Sequence, residues 1–401
     1  MPFFALTLFL FSALVGLLIR WNFVFPISSF SYKNLLQAHS HVAFLGWGYI
    51  ATLAIIIQVY ILDKSLNLKI YKIFISIITI AVFLMLISFA LVGYKSISIV
   101  LLSVFGIASY VISYKLLKDL KGKSIAIKMI RFGIYYYLLS NLATWFLGFV
   151  MVTQGKSVLF YNTIYFYLHF LYNGYFVFVL FGLLFKVFEN QNIVISTKNQ
   201  KLFFIFLNIA CIPAYFLSVL WSKPSILFNY IGFFAALLQL VSLVYLIRII
   251  SKVFINLKWS RFSKLLLKFA LISYGLKVGI QVISSFPYIV TNSLALKHYF
   301  IIGYLHLFTL GFMSVFIFLL LIQVKKVNLD SKISKTGIFS FLIGIIGTEF
   351  LLFYQGFLIL KRINPLKYYN LELFILSVFL FCGLLLIVLP QFFKKQKELN
   401  V

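Results

Sequence analysis

Residues 299–323 read YFIIGYLHLFTLGFMSVFIFLLLIQ, twenty-five positions without one charged side chain and with a single histidine, His306. A helix rises about 1.5 Å per residue, so roughly 20 apolar residues cross the hydrocarbon core of a bilayer. The stretch is therefore read as a membrane span. Eleven more runs of similar length stand beside it, at 3–19, 37–62, 70–93, 97–117, 130–153, 158–185, 201–221, 225–247, 265–288, 336–360 and 371–393. Backbone N–H and C=O groups in lipid must be satisfied within their own segment, which makes these runs helices. The expected fold is all-α: one polytopic domain over residues 1–401 with twelve transmembrane helices and the lipid bilayer as its principal partner.

The composition agrees. Of the 401 residues 63% are hydrophobic and only 10% charged, where a soluble surface needs about 25% charged residues. The net charge of +28 does not point to nucleic acid, because its distribution follows the spans. With the N-terminus inside, twenty-five of the 35 basic residues fall in cytoplasmic segments, nine, Arg20 among them, fall in outside loops, and Lys277 lies within a helix. That is the positive-inside pattern, and it expects both termini in the cytoplasm, with a bacterial inner membrane as the location. The first run lacks a basic leader and a small-residue cleavage site and is expected to be a retained span. Cys211 and Cys382 both lie in apolar runs and imply no disulfide framework.

The five histidines carry a repeat. His41 opens HVAFLGW, His169 opens HFLYNGY and His306 opens HLFTLGF: each time a histidine, four residues, a glycine and an aromatic. They fall in spans 2, 6 and 10, four helices apart. Self-similarity at a fixed period is an architectural signal, and it expects three four-helix repeats, approximately 1–128, 129–265 and 266–401, around a pseudo-threefold axis. Five residues along an α-helix turn about 140°, so the glycine is expected off the histidine's face, where small residues let membrane helices pack closely. His39 and His41 point about 200° apart on a helix and cannot both face one ligand; His39 is expected at the rim, and His298 at the outer interface. Neutral imidazole is the commonest metal ligand, and helix bundles hold haem or metal in their cores. The repeat alone also allows His41, His169 and His306 to converge on one Zn or Cu with an open fourth position.

Twelve helices, cytoplasmic termini, threefold repeats and histidines in spans 2, 6 and 10 resemble the catalytic subunit, subunit I, of the haem–copper oxidase superfamily. In size and layout the chain is also similar to the NnrS family of haem- and copper-containing membrane proteins tied to nitric oxide stress. The resemblance implies a low-spin haem ligand at His41, with His39 a near alternative; a copper ligand at His169; and at His306 a haem ligand, with His298 eight residues earlier near the propionates. It also implies a cytochrome or quinol as electron donor. The chain departs from the pattern at Phe308, where a second span 10 histidine usually stands, and in span 7, NIACIPAYFLSVLWSKP, which lacks the usual paired histidines. The implied site is thus a reduced one: a single non-covalent b-type haem, copper being an option, with His306 on one side and His41 or His169 opposite. The implied activity is electron transfer or the binding of nitric oxide or oxygen, with oxidoreductase chemistry possible.

Lys277 and Glu349 are the charged residues deepest in apolar sequence, each costly there unless paired or hydrated. They are read as an ion pair with each other, or as a proton route or substrate contact. Asn173, at i+4 from His169, shares that histidine's face. Two other functional classes fit the same residues: a transporter or channel using Lys277, Glu349 and the histidines as a polar path, and a non-catalytic scaffold for an oxidase assembly. Parallel repeats depart from the inverted-repeat pattern of many transporters.

Overall fold

The computed structural model describes residues 1–27, 31–61, 68–293, 296–325, 327–329 and 331–399. Every regular element among them is helical. Twelve helices are long and apolar enough to cross a membrane: α1 Pro2–Asn22, α2 Tyr32–Tyr60, α3 Lys69–Val92, α4 Ser96–Asp119, α5 Ile125–Gln154, α6 Val158–Asn190, α7 Thr197–Ser222, α8 Leu227–Phe254, α9 Arg261–Ile283, α10 His298–Gln323, α11 Lys332–Leu360 and α12 Tyr369–Phe392. The chain is an all-helical protein built to lie in a bilayer.

Short polar signals set the helix ends. Ser124, Ser157, Ser196, Ser260 and Ser331 stand before α5, α6, α7, α9 and α11, and each hydroxyl accepts a backbone N–H from the first turn, which satisfies a donor that has no partner inside the helix. Gly93 and Gly155 follow α3 and α5 with φ of 65° and 61°, a conformation that costs glycine little.

Burial separates the helices into two kinds. In α2, α6 and α10, 78%, 94% and 83% of the apolar window is buried; in the other nine the share runs from 28% to 50%. The three histidine-bearing helices are the inner ones, and the rest keep an apolar flank free for lipid.

The helices form two compact units, Met1–Leu116 with Leu305–Val401, and Leu117–Tyr304. The boundary passes through α10 one residue before Leu305. In the first unit Phe9 of α1 stacks on Trp47 of α2, with ring centroids 4.7 Å apart and planes 5° from parallel. There α11 and α12 meet along a glycine seam, where a Cβ added at Gly383 would stand 2.6 Å from the Gly337 carbonyl oxygen. In the second unit α5 and α6 close at Gly133 and Gly182, where an added Cβ would stand 2.7 Å from Val179 and 2.8 Å from Ile130. Lipid tails are as apolar as leucine, so such contacts rest on close packing rather than on escape from water.

Candidate functional site

Each repeated histidine closes an α-helical stretch and opens a wider one. Tyr32–His41 runs into a π-helix at Val42–Tyr49, Val158–His169 into one at Phe170–Phe176, and Lys297–His306 into one at Leu307–Ser314. The π-helix bonds i to i+5 and is rare outside functional sites. It also revises the expected geometry: with i+5 winding the glycine five residues on returns toward the histidine's side of the helix. Close packing is observed at the glycines of the first two repeats. A Cβ at Gly46 would lie 3.1 Å from Val82 and 3.2 Å from Leu8, and one at Gly174 would lie 2.5 Å from Tyr136.

The bonding partners of each imidazole assign its tautomer. A carbonyl oxygen only accepts, so the ring nitrogen facing one carries the proton and the other nitrogen carries the lone pair. In the first unit the Nδ1–H of His41 donates to the Gln37 carbonyl at 2.8 Å, and its Nε2 lies 2.9 Å from the Tyr94 hydroxyl, which donates to it. The ring also stacks on Phe89. Both nitrogens of His41 are therefore engaged.

His39, two residues earlier, is held from α1. Its Nδ1–H donates to the Ser12 carbonyl at 2.8 Å, and the Ser12 hydroxyl donates to the His39 carbonyl at 3.1 Å. The ring lies over Gly16, where an added Cβ would be 2.9 Å from Cε1. Its Nε2 lone pair makes no hydrogen bond among the described residues.

His306 belongs to the same unit. Its side chain is 28% exposed, and its Nδ1 lies 3.9 Å from Glu349 Oε1, beyond hydrogen-bond range. Arg20, His39, His306 and Glu349 share one electrostatic neighbourhood in this unit. Glu349 is buried, and neither carboxylate oxygen has a hydrogen-bond partner among the described residues. Arg20, assigned to a loop by sequence, lies in the last turn of α1. With Ser12 and Gly16 it makes an i, i+4, i+8 stripe on one face of that helix, and this stripe positions the site. Sequence reading passed over it, although the spacing of the three residues could have revealed it.

In the second unit His169 is 2% exposed. Its Nε2–H donates to the Cys211 carbonyl at 2.8 Å; the Asn173 amide and the Ser218 hydroxyl face its Nδ1 at 3.3 and 3.4 Å. The acceptor is available because α7 breaks there. Pro213 lacks an N–H, and Tyr215 N–H turns to the Ile212 carbonyl, leaving the Cys211 carbonyl without its helical donor. His298 is exposed, at the start of α10. Lys277 and Glu349 fall in different units, and each finds partners within its own. Lys277 donates to Gln239 Oε1 at 3.1 Å, while Glu349 Oε1 stands 3.9 Å from His306 Nδ1.

Among the described residues no three His, Cys, Asp or Glu side chains gather as a metal-holding group. The fold defines an all-helical polytopic membrane protein whose histidines lie on its three most buried helices. Compared with known proteins, the chain matches no family model and no curated sequence.

Proposed function

We propose that the chain is a haem-binding integral membrane protein of electron transfer, with His39 and His306 as the residues that would hold the haem. One observation carries this reading. Leaving aside the exposed His298 at the start of α10, these two histidines alone among the described residues keep an unengaged imidazole nitrogen, and they lie in one unit. Metal-bound histidines characteristically donate the remote ring N–H to a carbonyl or carboxylate; Ser12 serves His39 in that way, and Glu349 stands beside the Nδ1 of His306. A haem held by these two histidines would supply one-electron chemistry. The protein's own part is orientation. The Ser12 carbonyl fixes the His39 tautomer, Gly16 leaves room for the ring, and Glu349 stands beside His306.

Within this reading His41 latches α2 to the turn after α3 through Tyr94, and His169 secures the broken helix α7. Neither needs copper for that part. The clustering of basic residues supports cytoplasmic termini and a bacterial inner membrane, with a quinol or a cytochrome as the class of electron donor.

The test is the visible spectrum and haem content of the protein purified in non-ionic detergent. A b-type spectrum near one haem per chain is expected, lost in His39→Ala and in His306→Ala and kept in His41→Ala. A folded wild-type protein that takes up no haem, or one in which His39→Ala and His306→Ala both retain it, overturns the proposal.

A further inference from the structure

Lys277 poses a separate problem in the second unit. Its side chain is 1% exposed and lies in the interior of a membrane helix. Its one hydrogen bond goes to Gln239 Oε1 at 3.1 Å, and its Nζ stands 5.6 Å from the centroid of the Tyr274 ring. It makes no ion pair among the described residues. The titratable groups in its neighbourhood are Cys211 and His169, a thiol and an imidazole already bonded to its neighbours.

Counting donors sharpens the question. An ammonium has three N–H donors and no acceptor; Gln239 takes one and two are left. Because lysine can only donate, the Gln239 amide must turn its oxygen toward Nζ, which leaves the NH₂ group outside that bond. That Nε2 is buried, on a residue 2% exposed, and has no partner among the described residues. One small buried region thus holds an ionisable amine and, among the described residues, unmet N–H donors on two side chains from different helices, α8 and α9. A water molecule would supply acceptor lone pairs but no charge. An uncompensated ion in a low-dielectric interior remains expensive even when hydrogen-bonded. An anion answers both deficits at once.

We infer that Lys277 and Gln239 form an intramembrane binding site for a small monovalent anion of halide size. Lys277 Nζ supplies the charge and the Gln239 Nε2–H the directional hydrogen bond, with the Tyr274 ring restraining the lysine. The site is independent of any haem in the first unit.

The probe is chloride, followed by the ³⁵Cl NMR linewidth of full-length protein in non-ionic detergent, with gluconate as the counter-ion of the reference sample. Excess broadening is expected in the wild type, reversed by added bromide. It is expected to fall several-fold in Lys277→Met and in Gln239→Leu, and to survive in Lys277→Arg. Gln239→Leu keeps the test open if Lys277→Met fails to fold, since it removes the donor without touching the charge. Broadening that is absent from the wild type, or that is equal in the wild type and Gln239→Leu, overturns the inference. Such a result leaves a neutral amine, bonded to Gln239 alone, as the state of Lys277.

Discussion

The indole N–H of Trp47 donates to the Ser314 hydroxyl at 2.8 Å, and that hydroxyl donates onward to the Thr309 carbonyl at 2.7 Å. Trp47 lies in the π-helix of α2 and Ser314 in that of α10, so the two widened segments of the first unit are tied by one bond. The Thr309 carbonyl is five residues before Ser314, and the serine side chain thus closes the wide turn on itself. Both side chains are fully buried.

Ser314→Ala would leave the indole N–H and the Thr309 carbonyl without their partner. A buried polar group orphaned in this way costs about 1–3 kcal/mol, although interhelical bonds in membranes average nearer ~0.6 kcal/mol. A fall in thermal midpoint in detergent is expected for Ser314→Ala and for Trp47→Phe. The double variant should fall by less than the sum, because the two residues share one bond. Strict additivity would show that the bond contributes nothing.

Gly16→Ala places a methyl group about 3 Å from the His39 ring, closer than a normal contact. The ring is fixed by Ser12 and must shift to make room. Haem occupancy, read as the ratio of haem absorbance to protein, should drop severalfold, while Gly148→Ala should leave it unchanged. An added Cβ at Gly148 meets nothing within 4 Å.

The seam between α11 and α12 gives the stability counterpart. At Gly383 the added methyl would meet backbone atoms, the Gly337 oxygen at 2.6 Å and the Phe341 nitrogen at 2.8 Å, and backbone cannot swing aside. Gly383→Ala should cost about 1–3 kcal/mol by overpacking. Gly148→Ala, in an exposed helix interior, should be neutral or stabilising by up to ~1 kcal/mol. Thermal unfolding of the pair in one detergent separates local crowding from the general effect of replacing a helical glycine.

Orientation can be checked by cysteine labelling on a Cys382→Ser background. Lys121 and Lys156 are exposed and flank α5 at opposite ends. Lys121→Cys should react with a membrane-impermeant maleimide only in inside-out vesicles, and Lys156→Cys only in intact cells. The reverse pattern would invert the proposed topology.

Hydropathy alone located all twelve spans, because lipid forces an unbroken apolar run for each helix. The histidine repeat marked α2, α6 and α10, which are the helices the fold buries. Sequence could not distinguish His39 from His41, since the distinction rests on which ring nitrogen each uses: His41 is fully occupied by Gln37 and Tyr94, while His39 is held on one side by Ser12. The π winding was equally hidden, for it changes no residue type. The break in α7 was signalled by Pro213, but nothing in the order of residues says that His169 would take the carbonyl left open there.

The widened turns also bear on how the chain tolerates length change. A stretch wound with i+5 bonds holds one residue more than the α-helix that would replace it. Removing a single residue between 42 and 49 would let that stretch rewind while Ile50–Tyr60 kept its facing. The same deletion within the regular part of the span would rotate everything beyond it by about 100°. These segments are therefore where evolution or engineering can shorten α2, α6 or α10 by one residue without turning the rest of the helix away from its neighbours.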